Sequence, residues 1–129
     1  MLRTSLLTAV LLTSVALPVN ATNRTPEVHE SPLVIEEFTP LDLYIERLAF
    51  LESSGRETIQ IIDSNGKWSR GCLQFQDATF AEQTAKYDLA GDILDCTFQK
   101  QLTKAMLSDK PGNVRHWYHS SRKLGRPPL

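Results

Sequence analysis

The chain has 129 residues, 14 basic and 15 acidic side chains, a formal net charge of −1 and two cysteines. That length excludes more than one small domain once any leader is set aside, and two cysteines exclude more than one intramolecular disulfide. The near-neutral total hides an asymmetry. Residues 22–96 hold 14 acidic and 6 basic side chains, whereas residues 97–129 hold 7 basic ones against Asp109 alone.

The first stretch, MLRTSLLTAVLLTSVALPVNA (residues 1–21), has the pattern of a signal peptide. Arg3 is a short basic start, an apolar core runs to about Leu17, Pro18 breaks it, and VNA ends on a small residue. The apolar run is too short and too rich in Thr and Ser for a stable membrane span. No cysteine stands at the expected cut, which argues against a lipoprotein. Removal of this leader leaves 108 residues and a secreted or periplasmic protein. Export makes a Cys72–Cys96 disulfide chemically possible, but the sequence does not decide between a disulfide and two separate thiols. Residues 22–39 are acidic, interrupted by proline and without periodicity, and read as a linker or extended arm.

Order is expected to begin at Thr39-Pro40, a helix cap followed by proline at the first helical position. Leu41, Tyr44, Ile45, Leu48 and Leu51 recur at helical spacing, and Gly55 is a natural stop. This helix delivers Glu52 near its C-terminal end. Next, TIQIIDSNGKWSRG predicts strands near residues 58–63 and 67–70, joined through Asn65-Gly66, a strong hairpin signal. Asp77 is placed to cap a helix running through Phe80, Ala81, Thr84 and Tyr87. Asp92 or Asp95 is placed to cap another, with Phe98, Leu102, Ala105 and Met106 on one face, ended by Pro111-Gly112. A short helix around Trp117 follows, then a tail over residues 125–129. The sum is an α+β layout, mainly helical with one small β-hairpin, in a domain over residues 40–124.

The order helix, Glu52-Ser53, hairpin, then Gly71-Cys72-Leu73-Gln74 resembles the lysozyme-like superfamily, whose lysozymes and soluble lytic transglycosylases cleave peptidoglycan. Both carry a catalytic glutamate followed by serine, then a Gly-Ile/Leu-x-Gln segment along the cleft. Gly71 and Gln74 lie 19 and 22 residues after Glu52, a spacing closer to animal-type lysozymes than to the transglycosylases. Asp95, Gln99 and His116-Trp117-Tyr118 extend the likeness to small exported bacterial members, over about residues 40–124. One departure matters: the second carboxylate of animal lysozymes, two residues before the glycine, is here Ser69. Serine does not supply the charge that a paired-carboxylate mechanism needs. That shifts the expected mechanism towards a single acid, as in lytic transglycosylases and goose-type lysozymes.

The resemblance implies a glycosidase acting on the bond between N-acetylmuramic acid and N-acetylglucosamine, as a monomer, without cofactor or metal. Glu52 is its expected general acid. Such a group has to keep a proton at neutral pH, which desolvation and the negative end of a helix both favour. Ser53, Ser69, Gly71, Gln74, Tyr87 and Tyr118 are the expected substrate-binding residues. Trp117 is read as core first and as a sugar-stacking ring second. Glu57 and Asp63 are acids near the cleft, read first as solvated loop residues. His116 and His119 share helical spacing, but no Cys, Asp or Glu in their segment completes a metal set.

The basic C-terminal flank suits an anionic polymer or a solvated tail. Charge alone does not separate cell wall from nucleic acid or lipid headgroups; the resemblance selects the peptidoglycan glycan strand and no nucleic acid. A second reading is a catalytically weak or inactive module that grips wall glycan, and a third is an unrelated small helical exported protein.

Overall fold

The computed structural model describes residues 37–129, with Ala16 alone before them. The expected leader over residues 1–21 and most of the expected arm over residues 22–39 lie outside the described residues. The described region is α+β and mainly helical. Helices α1 (Pro40–Ser53), α2 (Asp77–Lys86), α3 (Cys96–Asp109) and α4 (Tyr118–Leu124) accompany a small antiparallel sheet, against which α2 packs, and a 3₁₀ segment, Pro111–Trp117, leads into α4. The sheet has three strands in the order β1 (Gln60–Ile62), β2 (Trp68–Arg70) and β3 (Phe75–Gln76), one more than the expected hairpin. No helix among the described residues is long and apolar enough to cross a membrane.

Helix α1 starts where the sequence indicates. The Thr39 hydroxyl accepts from the Asp42 N–H at 3.2 Å, and the Asp42 carboxylate accepts in return from the Thr39 N–H at 2.8 Å. This reciprocal cap satisfies two N–H groups that a helix start leaves open. Lys104 on α3 completes the acid's surroundings at 2.7 Å, and the Lys104 and Thr39 bonds together hold Asp42 down at about 2. At its other end α1 closes on Ser54 in the left-handed conformation, one residue ahead of Gly55. Helix α3 is capped by Asp95, which accepts from the Phe98 N–H at 3.2 Å, while Asp92 accepts from Leu94 N–H in the preceding turn. Asp77 does not cap α2: Gln76 holds that position, and Asp77 is the first helical residue, paired with Arg70 of β2.

The hairpin turn differs from the one its Asn-Gly pair suggests. Gly66 N–H donates to the Asp63 carbonyl at 2.9 Å and Asp63 N–H donates to the Lys67 carbonyl at 2.8 Å. Only Gly66 in that loop has a positive φ, +76°. This is a three-residue loop closed by a left-handed glycine, not a two-residue Asn-Gly turn. The Asn65 side chain caps it by accepting from Lys67 N–H.

The core lies between α1, α3 and the Cys72–Phe75 segment. Leu48, Leu73, Leu102, Met106 and Leu107 have no exposed surface. Each such side chain contributes roughly 2 kcal/mol by leaving water. Cys72 and Cys96 form a disulfide with their Cα atoms 5.5 Å apart, which joins the segment after β2 to the start of α3. Part of the charge asymmetry is spent inside the fold, because Lys100 and Lys104 of α3 pair with Glu46 and Asp42 of α1. The expected tail is tied at its start: the Tyr44 hydroxyl donates to the Gly125 carbonyl at 2.9 Å, and Pro127 is buried.

Candidate functional site

The Cys72–Gln74 turn is fixed by one buried side chain. Gln99 of α3 accepts from the Leu73 N–H at 2.7 Å and donates to the Arg70 carbonyl at 2.8 Å and to the Ile93 carbonyl. Gln99 is fully buried, and its bond to the Leu73 N–H satisfies a buried backbone group, while the other two hold half-buried carbonyls. Its approach requires Gly71. A Cβ there would stand 2.2 Å from the Gln99 amide nitrogen, and the φ of +74° already disfavours any other residue. Gly71 therefore acts on the site through Gln99. Trp117 braces the same turn from the far side, donating from its indole N–H to the Leu73 carbonyl at 2.7 Å and packing edge-on against Phe75.

Past that turn a cleft of about 460 Å³ opens between the end of α1, the inner face of the hairpin and the 3₁₀ segment. This is within the size range of sites for small organic ligands. Glu52, Ser69 and Gln74 line it together. The alternation of the strands explains the hairpin's share. Ile61 pairs with Ser69, and Asp63, two residues on, points to the same side, so all three face the cleft. Ile62, Trp68 and Arg70 face outward, with the Arg70 guanidinium 5.6 Å above the Trp68 ring. Phe75, Gln76, Thr79, His116 and Trp117 complete the lining.

Glu52 sits in the last turn of a helix that carries no basic residue there. Burial is the largest influence on its carboxyl group and raises it above the ordinary glutamate range. The Ser120 hydroxyl and His119 pull the other way, and Asp63 adds a further upward push. The balance is a carboxyl group that holds its proton to higher pH than a free glutamate. His116, at the cleft wall, is shifted down by burial and by neighbouring Arg115, which favours its neutral form.

The remaining expected residues lie elsewhere or do other work. Ser53 is buried, and its hydroxyl donates to the Ala49 carbonyl one turn back at 3.0 Å. Gln74 lines the cleft, but its amide N–H donates to the Gly71 carbonyl at 2.7 Å, and its backbone is left-handed at φ 52°. Its side-chain carbonyl and second amide N–H are left for a ligand. The Tyr87 hydroxyl donates to Asp109 at 2.9 Å, linking the ends of α2 and α3 away from the cleft. Tyr118 is 56% exposed, lies against Arg122 and does not line the cleft. Glu57 likewise lies outside it.

Several lining residues were not anticipated from sequence. Gln76 arrives on a strand of two residues, too short to leave an alternation pattern. Asp63, named near the cleft but read first as a solvated acid, does line it, and its shared parity with Ile61 across from Ser69 is the signal that favours this place. Among the described residues no three His, Cys, Asp or Glu side chains converge as a metal set. The cleft thus offers one carboxyl group shifted upward by burial, one further acidic side chain, and hydroxyl and amide groups along its lining. No family model, curated protein or solved structure matches the chain.

Proposed function

We propose that this protein is an exported peptidoglycan-cleaving glycosidase, a lysozyme or lytic transglycosylase, with Glu52 as general acid. The observation that carries this reading is Glu52 itself, a carboxyl group whose hold on its proton is strengthened by burial, at the wall of a cleft it shares with Ser69 and Gln74. Cleavage of a glycosidic bond stalls unless the departing oxygen is protonated as the bond stretches. Glu52 is the cleft residue suited to give that proton, and to take it back from the incoming hydroxyl or water afterwards. The Gln74 side-chain carbonyl offers an acceptor for an N-acetyl amide N–H or a sugar hydroxyl, and the Ser69 hydroxyl, whose proton goes to Asp63, offers a second acceptor. The Cys72–Cys96 disulfide supports passage through an oxidising compartment, secreted or periplasmic.

The test is Glu52→Gln, which preserves size and hydrogen bonding and removes the acidic proton. The parent should clear a suspension of purified cell wall, and the variant should be slower by about a hundredfold or more. Equal clearing would rule Glu52 out as the acid. A parent that clears nothing yet sediments with wall would make the domain a glycan-binding module.

A further inference from the structure

Across the hairpin from Glu52 stands a carboxylate that the single-acid mechanism does not use. Asp63 lies just past β1, on the inner face, and lines the cleft with Glu52 and Ser69. Two side chains hold it there: the Ser69 hydroxyl from β2, and the Gln76 amide from β3, which donates at 2.8 Å. Both bonds end on Oδ2, and among the described residues none ends on Oδ1. The two donors come from the neighbouring strands and fix the carboxylate on the cleft side of the sheet. The carboxylate missing at position 69 has thus a counterpart one position further along the sheet face, with the Ser69 hydroxyl in contact with it.

We propose that Asp63 is the second catalytic carboxylate of this site, the base that activates a water molecule for attack on the anomeric carbon. The inference rests on the glycosidase reading above and selects hydrolysis within it. Water oxygen bonds to the anomeric carbon, and its proton passes to Asp63 Oδ1. The bond from the anomeric carbon to the glycosidic oxygen breaks, and Glu52 gives its proton to that oxygen. Exchange with solvent then moves the proton from Asp63 back to Glu52. One water is consumed, and two free sugar hydroxyl ends are made.

A base is favoured over a nucleophile because Asp63 is tethered by Ser69 and Gln76, two donors on the neighbouring strands, which keeps it from closing on the anomeric carbon. A carboxylate that activates water on the face opposite the leaving group inverts the anomeric centre. The product of cleaving a β-linked strand should therefore emerge as the α anomer.

The experiment uses soluble uncross-linked glycan strands, with product anomers followed by NMR in the first minutes of reaction. The expected result is reducing ends that appear first as α, and an Asp63→Asn variant slowed about a hundredfold or more. That variant should melt as a folded domain and still bind the strands. Anhydro ends or β ends from the parent would overturn the proposal without recourse to any variant. So would Asp63→Asn cleaving at the parent rate. If Glu52→Gln is dead in either case, the glycosidase reading stands and only the role of Asp63 falls. If Glu52→Gln also cleaves normally, the glycosidase reading itself has failed.

Discussion

Glu52 is held in an environment that its own charge disfavours, and that has a consequence for stability as well as chemistry. Its folded form binds a proton more tightly than the unfolded chain does, so folding is favoured at low pH. As pH rises from the ordinary glutamate range through the raised folded value, that contribution is lost. Glu52→Gln should therefore raise the melting temperature at neutral pH, with the gain disappearing below the ordinary glutamate range. An identical pH dependence for parent and variant would show that burial does not act on this carboxyl group. The same shift sets the alkaline limb of activity, which should fall as Glu52 deprotonates, above the pH at which a free glutamate would. Asp42 runs the opposite way. Held at about 2 by Lys104 and Thr39, it adds stability above the unfolded value near 3.8, and that stability fades as pH falls towards 2. Glu52 was visible in the sequence as an acid ending an apolar helix face. The Ser120 hydroxyl and the His119 side chain beside it were not, because they come from α4, folded back over a long sequence separation.

At the level of elements, the site depends on one turn being held against one helix. Gln99 satisfies three backbone groups at once, and replacing it with leucine takes that partner from the buried Leu73 N–H and from two half-buried carbonyls. The expected cost is about 3 kcal/mol or more, read by denaturant unfolding. A loss under about 1 kcal/mol would mean that water replaces the amide. Gly71→Ala should be costly for a related reason, since its Cβ meets the Gln99 side chain and its φ is left-handed. Helix α1 was legible because its cap, its proline and its apolar spacing agree, and the hairpin because Gly66 follows a run of β-formers. Strand β3 was not, since two residues pairing through Ser69–Gln76 and Arg70–Phe75 leave no period to read. The cap of α2 was misplaced by one residue because Asp77 looks like a capping side chain, yet its carboxylate is engaged by Arg70.

For the molecule as a whole, a core this small leaves much of the stability to cross-links. The Cys72–Cys96 bond spans 24 residues and ties the cleft turn to α3, so Cys72→Ser with Cys96→Ser should cost about 3 kcal/mol. Unfolding in denaturant, with and without reductant, measures that directly; an unchanged midpoint would make the bond a bystander. The sequence specified an α+β helical domain because its periods and breakers agree over most of residues 40–124. It left the disulfide open because pairing is a matter of distance, which α3 sets only by packing on α1. The gathering of Glu52, Ser69 and Gln74 follows from the sheet face and the Gln99 lock together. Tyr87 and Tyr118 fall outside it because α2 and α4 turn those rings towards Asp109 and Arg122.

The central claim is that Glu52 delivers a proton to a glycosidic oxygen of peptidoglycan. Mass spectrometry of the soluble material released from purified, protein-free peptidoglycan tests it most directly. The parent should release disaccharide-peptide fragments, and Glu52→Gln at equal concentration should release essentially none. Equal release by both proteins, or fragments cut only within the peptide stems, would contradict it.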